Sequence, residues 1–520
     1  MKIKMKKLLL ILLFITMILY SIIAENKNVG NNKTENLQVQ QSNLKNQRIW
    51  LEDFDSLYTM IKENYPYLSV KERVHGYNWL NLKEYYRQRI INAKEPIEFL
   101  NILYDAVQAL QNRHTRVFEP EWLDYYYRDS PNNFYLTDEP YKNIFTVGLK
   151  KSYENWRSFF EAIIDQRYWI QYDVLIVYDK GVYKLVDGYN GWKEKYGNES
   201  TVISVNSIPI DEAIKSCFEK TYLDWDYNRN KSFSWRIQPI MFGSNAKFEI
   251  LTTSGISKIV AFQSGMEFMY NNPYHLPMDR IETKILFDNK IAYLRINDFM
   301  SDNSDEDHKE LLEFYKTIKD FGFLIIDIRW NQGGSYDPWM RNVIAPLCKN
   351  QLVSKMYLAY RAGSYVNRFR ENAGINKIVP KESLNNLPVE VRHADFTIYD
   401  YSQTVSPSCE VDFKGHIVIL TDRFTYSATD AFALFCKETK FGKLYGIPTG
   451  GDGISDSPVF YTLPNTKICI RFTPAMGIDY TGNADEEARV QPDVGYESSL
   501  GNYNELIDFV VNQININNEK

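Results

Sequence analysis

Hydrophobic positions along the chain follow two periods, which divide it into helical and strand-like parts. Over residues 47–120, large apolar side chains recur every three or four positions in three stretches, which predicts a bundle of amphipathic helices. Shorter alternating runs over residues 170–265 predict a strand-rich module. The runs 323–326 and 417–420 are wholly apolar, as in strands buried on both faces of a parallel sheet. The pattern therefore predicts an α/β fold.

Turn signals refine this division. In the module, a strand, a tight turn at Asn206-Ser207 and a helix precede a hairpin that turns at Ser254-Gly255. A further hairpin turns at Asp288-Asn289 and opens the largest unit, residues 280–510. Residues 121–169 form an aromatic-rich connecting region. From residue 132 to about residue 200 the chain is dense in tyrosine and tryptophan, and its short alternating runs predict mostly short strands and loops.

Composition describes a folded protein of several domains. The chain has 520 residues, 44% of them hydrophobic and 15% aromatic, which is more than one core usually holds. The net charge of -6 is mild, and no basic cluster follows the N-terminus, so no nucleic-acid partner is expected. The five cysteines are scattered and lack C-x-x-C spacing, which indicates neither a disulfide framework nor a metal site.

The N-terminus resembles an export signal. Residues 1–24 combine a basic start, MKIKMKK, with a long apolar run, which is typical of a signal peptide or a retained membrane anchor. Residues 25–46 are polar and rich in asparagine, as in a flexible linker. We therefore expect an exported protein, periplasmic, extracellular or anchored facing outward, that contacts the membrane only through this segment.

Three places carry candidate chemistry. Ser427 follows the apolar run 417–420 where a helix pattern begins, and the free N–H groups of a helix start favour negative charge beside its hydroxyl. Gly333 and Gly334 follow the other apolar run and leave backbone N–H groups accessible to a ligand. His114 follows the third helical stretch. Each also has a simpler interpretation, as a helix-start serine, a glycine turn or a surface histidine.

Five motifs in order resemble the S41 serine peptidases, the C-terminal processing or tail-specific protease family. IAYLRINDF, LIIDIRWNQGG, FTYSATDAFA, GIPTGG and VQPD each resemble a block of that family, and together they cover roughly residues 48–500. The resemblance implies a crotonase-like (ClpP/crotonase) spiral β/α core with an N-terminal helical bundle and an inserted PDZ-like module, residues 170–265.

One departure selects a branch of the family. Where the processing peptidases place a general-base lysine, this chain has Asp452, whose carboxylate is too weakly basic to activate a serine. The tricorn-like branch uses a histidine instead, and LQNRHT resembles its pattern. The resemblance then implies Ser427 as nucleophile, His114 as general base and Glu486 as an orienting carboxylate. The backbone N–H groups of the oxyanion hole would come from the residues Gly333, Gly334 and Ala428.

The implied function is that of an exported serine endopeptidase. It would hydrolyse peptide bonds in peptides or unfolded proteins through an acyl-enzyme, with no cofactor and no metal ion. Two alternatives stay open at this point. One is a catalytically inactive S41-like protein of the cell envelope that binds peptides or another ligand, and the other is a scaffold protein that acts through the PDZ-like module.

Overall fold

The computed structural model describes residues 44–128, 134–165, 167, 172–188, 191–264, 279–287 and 290–518. The predicted signal or anchor, most of the predicted linker and the turn at Asp288-Asn289 lie outside these residues. Residues 44–46, the end of the predicted linker, already form the first turn of a helix. Within the described part, no helix is long and apolar enough to cross a bilayer.

The N-terminal part is helical, as the apolar period predicts. Its elements are α1 (residues 44–64), α2 (Leu68–His75), α3 (Lys83–Asn92), α4 (Pro96–Gln108), β1 (Arg116–Val117), α5 (Pro120–Arg128), α6 (Phe134–Thr137) and α7 (Val147–Ile164). Helix α4 begins at its proline, where the missing N–H costs nothing, and Glu95 and Glu98 form a capping box. The helix ends at Gln108, so His114 lies in the loop that follows.

Helix α7 corrects the prediction for the connecting region. Residues expected to form strands and loops form a helix of 18 residues, with Thr146 as its N-cap. Its buried side chains, Leu149, Tyr153, Phe160 and Ile163, recur at helical spacing. Trp156 and Phe159 are half-buried and pack against the same core, so aromatic residues make up much of this stripe. Aromatic residues are also favoured in strands, which is why this composition suggests strands.

The module has its own sheet and its own core. Its elements are β2 (Val174–Asp179), β3 (Val182–Gly188), α8 (Trp192–Tyr196), β4 (Thr201–Val205), β5 (Ile208–Pro209), α9 (Ile210–Lys215), β6 (Asp224–Asp226), β7 (Lys231–Phe233), β8 (Arg236–Ile237), β9 (Phe248–Leu251) and β10 (Ser257–Val260). The sheet order is β10-β9-β4-β3-β2-β8. Asn206 and Ser207 both have positive φ, as expected for a tight hairpin turn. The PDZ-like identity of this module stays a prediction.

The remaining residues build the largest unit. Its elements are β11 (Ile281–Phe287), β12 (Ile291–Ile296), α10 (Ser304–Ile318), β13 (Phe323–Asp327), α11 (Tyr336–Trp339), α12 (Ala345–Leu347), β14 (Leu352–Ser354), β15 (Tyr357–Arg361), α13 (Ser364–Asn372), β16 (Ile378–Val379), β17 (Phe396–Asp400), β18 (Gln403–Val405), β19 (His416–Thr421), α14 (Ala428–Thr439), β20 (Lys443–Gly446), β21 (Val459–Thr462), β22 (Cys469–Phe472), β23 (Ala475–Ile478), α15 (Asp485–Ala488), β24 (Val494–Gly495) and α16 (Glu505–Asn518).

A largely parallel sheet positions the site. Its order is β11-β12-β13-β19-β20-β24, and β12, β13, β19, β20 and β24 run parallel. One face packs on the large core shared with the helical bundle, and the other packs on α16. Burial on both faces explains the continuous apolar runs of β13 and β19. Their carboxyl ends meet at one edge of the sheet, where α/β proteins usually bind ligands.

Candidate active site

Ser427 lies at the junction between β19 and α14. Its backbone has φ 57° and ψ −132°, a conformation that residues other than glycine rarely adopt and that surrounding structure must hold in place. Part of that support comes from Asp422, whose Oδ1 accepts the N–H groups of Phe424 (2.9 Å) and Thr425 (3.0 Å). The Ser427 N–H donates to the carbonyl of Gly451 at 3.2 Å. The turn leaves the serine side chain partly exposed, at the start of the helix.

His114 reaches Ser427 from the helical part of the chain. Its Nε2 lies 3.0 Å from Oγ of Ser427, although 313 positions separate the two residues. The histidine is buried, and its backbone N–H donates to Oδ1 of Asn112 at 3.0 Å. The same oxygen accepts the hydroxyl of Thr115 at 3.1 Å. Asn112 therefore shapes the loop after α4 so that the imidazole points at the serine.

Asp452 is the third member of a cluster with Ser427 and His114, which we call the constellation. Its Oδ2 lies 2.8 Å from Nδ1 of His114, although the ring N–H is not well aligned with that oxygen. The same carboxylate oxygen accepts hydrogen bonds from Nδ2 of Asn112 (2.8 Å) and from the hydroxyl of Tyr426 (2.9 Å). Burial acts to raise the pKa of Asp452, but His114 and the donated hydrogen bonds outweigh it and lower the pKa below its ordinary value. Asp452 is thus held as a carboxylate.

The glycine turn after β13 packs directly against the serine. A Cβ added to Gly333 would lie 2.7 Å from Cβ of Ser427, so only glycine fits there. The Gly333 N–H donates to Oδ1 of Asn331 at 3.0 Å, which corrects its sequence assignment as a free oxyanion donor. By contrast, the N–H groups of Gly334 and Ala428 have no acceptor among the described residues. Two of the three predicted donors are therefore available.

Glu486 does not contact His114. Its Oε1 accepts a hydrogen bond from Nζ of Lys71 at 2.6 Å, and both side chains are largely buried. Burial raises the pKa of Glu486 to about 6, the charge of Lys71 lowers it, and the negative charge of Asp452 adds to the increase. The structure thus places Glu486 behind the constellation, next to Asp452, and not in the orienting contact that the sequence suggested.

A cavity of about 340 Å³ lies beside the constellation. The residues that line it come from the helical part, the module and the largest unit, and they include Arg113, Asp224, Tyr426, Glu486 and Arg489. Asp224 accepts hydrogen bonds from Arg113 (2.6 Å) and Arg489 (2.9 Å). The module is thereby linked to the residue that precedes His114. In the described part, no cluster of three or more His, Cys, Asp or Glu side chains is arranged to hold a metal ion.

The structure brings together Ser427 and His114, as the sequence leads us to expect, and adds Asp452 at the other nitrogen of the imidazole. The sequence presents Asp452 only as the substitute for a lysine base, a role for which a carboxylate is too weakly basic. The available signal was its position, because TGGDG places an acid in the loop that faces the nucleophile in the resembled family. The supporting roles of Asn112 and Tyr426 left no signal in the sequence, since both depend on the meeting of distant loops.

The geometry agrees with the comparisons to known proteins. Residues 290–496, which include Ser427 and Asp452, match the sequence model of Peptidase family S41. The chain is a serine-type peptidase. This match supports assignment to the S41 family. No curated protein matches the chain by sequence.

Solved structures of other proteins are similar to this peptidase in fold. Mature CPAF has a TM-score of 0.52 at 12% identity, with 89% of this chain and 96% of that chain covered. Mature CPAF complexed with lactacystin has a TM-score of 0.51 at 13% identity, with coverages of 90% and 98%. The tricorn protease is more distant, with a TM-score of 0.34 at 12% identity and coverages of 90% and 36%. At these identities the two CPAF structures establish a shared fold.

Proposed function

We propose that this peptidase is an exported endopeptidase that uses Ser427 as nucleophile, His114 as general base and Asp452 as the partner of the imidazole. The observation that carries the proposal is the 3.0 Å contact between Nε2 of His114 and Oγ of Ser427. A nucleophile and a base at hydrogen-bond distance, with a carboxylate on the other ring nitrogen, form the arrangement that activates serine in acyl transfer.

The reaction follows from these positions. Oγ of Ser427 attacks the scissile carbonyl carbon while Nε2 of His114 takes the hydroxyl proton. The imidazolium then lies against the Asp452 carboxylate, which stabilises its charge. His114 gives the proton to the leaving amine, and an acyl-enzyme remains. Water, deprotonated by His114, attacks the ester and releases the acid product and the free serine.

Two backbone donors support the oxyanion. Within the part of the chain that the structure describes, the N–H groups of Ala428 and Gly334 have no acceptor. Ala428 is the first residue of α14, where the helix dipole favours negative charge. Gly333 contributes shape rather than a donor, because its lack of a side chain allows the turn to lie against the serine. Glu486 keeps a weaker, indirect role through the charge that it places near Asp452.

Substrate class and location complete the proposal. Peptides or unfolded proteins are the substrates, since the partly exposed serine lies at the edge of the sheet where an extended segment has access. If the module acts like a PDZ domain, it would bind the ends of substrate peptides. Export rests on the basic and apolar pattern of residues 1–24.

The test is cleavage of a diverse peptide mixture by the full chain, together with labelling by a fluorophosphonate that reacts with activated serines. We expect Ser427→Ala and His114→Ala to abolish cleavage and labelling. His308→Ala is the matched control, because this partly buried histidine contacts Asn342 and Glu410 away from the site, and its loss should leave activity unchanged.

The same experiment separates the competing functions. A wild-type chain that is folded, cleaves nothing and resists the probe would be a ligand-binding protein on a peptidase fold, and the proposal would fail. Activity that survives His114→Ala would retain the peptidase but exclude this base.

A further inference from the structure

The loop that carries Asp452 is held by a second buried acid. Oδ2 of Asp485, the first residue of α15, accepts the backbone N–H groups of Gly453 at 2.7 Å and Ile454 at 3.1 Å. These are the two residues directly after Asp452, and the Asp485 side chain is only 2% exposed. Because a carboxylate that accepts two adjacent N–H groups fixes the backbone between them, Asp485 determines where the Asp452 side chain starts.

A third acid meets the same loop from the nucleophile helix. Asp430 lies three residues after Ser427 on α14 and is fully buried. A Cβ built on Gly453 would lie 2.5 Å from Oδ2 of Asp430 and 2.4 Å from the backbone nitrogen of Ala431. Gly453 is therefore pressed onto α14, and the carboxyl groups of Asp430 and Asp485 both contact this glycine.

Two buried carboxyl groups that lie against the same residue, Gly453, repel each other when both carry a charge. Burial raises the pKa of Asp430 to about 6, and neither of its carboxyl oxygens accepts a hydrogen bond from an N–H or hydroxyl group of the described residues. Burial raises the pKa of Asp485 further, and the charges of Asp430 and Asp452 add to the effect. Other charged or titratable groups that interact with the pair are Arg489, Tyr336, Tyr67 and Tyr227. One proton shared between Asp430 and Asp485 would relieve the repulsion between the two acids.

We propose that Asp430 and Asp485 form a proton-sharing pair that positions Asp452 against His114. The pair ties the nucleophile helix to the loop of the imidazole partner, so that Ser427 and Asp452 keep a fixed separation. Neither acid touches the reacting atoms, and both act through the loop, which makes them positioning residues. This inference rests on the proposed role of Asp452.

The shared proton predicts which substitution the site tolerates. In Asp485→Asn, the side-chain carbonyl still accepts the N–H groups of Gly453 and Ile454, and the amide N–H donates to Asp430. The variant therefore reproduces the protonated form of Asp485 and cannot ionise. Asp485→Ala loses both contacts and frees the loop. As pH rises, the wild-type pair loses its proton, the two carboxylates repel each other and the loop shifts, whereas Asp485→Asn has no such transition.

The experiment measures kcat and KM of the full chain against pH, using a peptide that the wild type cleaves. We expect Asp485→Ala to lower kcat by about 10²-fold or more with little change in KM, since misplacement near the reacting groups has effects of this size. We expect Asp485→Asn to retain most of the neutral-pH kcat. Its activity should also extend to higher pH than that of the wild type.

Asp53→Ala is the matched control. Asp53 is also a fully buried acid, and it accepts the backbone N–H groups of Asn465 and Thr466 at 2.8 Å each, but in a different loop. Its loss should lower the unfolding temperature without lowering kcat at temperatures where the protein is folded. If reduced stability alone lowered kcat, kcat would therefore fall in both Asp485→Ala and Asp53→Ala.

The inference is overturned if folded Asp485→Ala keeps wild-type kcat, if Asp485→Asn is as impaired as Asp485→Ala, or if the alkaline limb is the same in Asp485→Asn and wild type. These results differ from a failure of the proposed function. In that case the wild type itself would be inactive, or Asp452→Asn would have no effect on kcat while Ser427→Ala abolishes it.

Discussion

A carboxylate near a serine can act as the base itself or as the partner of another base. The atoms that the carboxylate contacts determine which of these two roles it has. Asp452 is too weak a base to deprotonate Ser427 directly, yet its Oδ2 lies against Nδ1 of His114 and accepts two further hydrogen bonds. These contacts fix the side chain and lower its pKa, which favours its charged form. In the mechanism proposed above, this acid is the partner of the base, and the base is the histidine.

This arrangement makes a prediction about Asp452→Asn. The amide keeps the shape of the side chain but cannot neutralise an imidazolium, so we expect kcat to fall by about 10³- to 10⁴-fold, as in other serine triads. Steady-state kinetics on a cleaved peptide measures the effect. The control is Asp456→Asn, a buried acid of the same loop that accepts a hydrogen bond from Tyr360 at 2.8 Å, and it should stay within a few-fold of wild type. Equal losses in both variants would contradict the role of Asp452.

The turn after β13 and the start of α14 bring together the donors of the proposed oxyanion hole. Asn331 joins them, because its Oδ1 accepts both the N–H of Gly333 (3.0 Å) and the hydroxyl of Thr429 (2.5 Å). Gly334 follows with φ 141°, and a Cβ there would lie 2.2 Å from the carbonyl oxygen of Phe299. The turn is thus fixed on both sides.

Gly334→Ala should therefore displace the turn. We expect kcat to fall by about 10²- to 10³-fold, the usual effect of losing one oxyanion donor. The matched control is Gly374→Ala, because Gly374 also has positive φ but has open space around its Cβ position. That control should lose only about 1 kcal/mol in the free energy of unfolding, measured with urea, and keep its kcat. Wild-type kcat in Gly334→Ala would exclude the turn from the hole.

The elements also show what the sequence could predict. Continuous apolar runs predict buried strands such as β13 and β19, and Pro96 indicates the first turn of α4. Helix α7 was not predicted, although its buried residues recur at helical spacing, because a composition rich in aromatic residues favours strands as well. Asp452 was misjudged for a different reason, since its role depends on contact with a loop 338 positions earlier in the chain, at His114, and no local pattern records that meeting.

On the scale of the whole molecule, hydrophobic packing separates the module from the rest. The helical bundle and the main sheet share one large cluster of buried side chains, whereas the module has a cluster of its own. The links between them include ion pairs such as Asp224 with Arg113, and aromatic contacts such as Tyr77 with Phe218 and Trp235 with Phe424. Units with separate cores can unfold separately, because few buried contacts transmit the loss of one to the other.

Calorimetry should therefore show two unfolding transitions. Phe248 lies in the module core and Phe99 in the large core, and both are fully buried. Phe248→Ala should reduce the free energy of unfolding of the module by about 3–5 kcal/mol, which lowers the temperature of one transition and leaves the other unchanged. Phe99→Ala should lower the temperature of the other transition instead. A single transition that both variants lower equally would show that the two cores unfold as one.

The groups that meet at the serine are far apart in the order of synthesis. His114 is synthesised first, and Ser427 follows 313 positions later. A chain that is still being synthesised therefore holds the histidine before it holds the serine. Under the proposed mechanism, cleavage cannot begin until the segment that carries Ser427 and Asp452 has been made and has folded against the helical part.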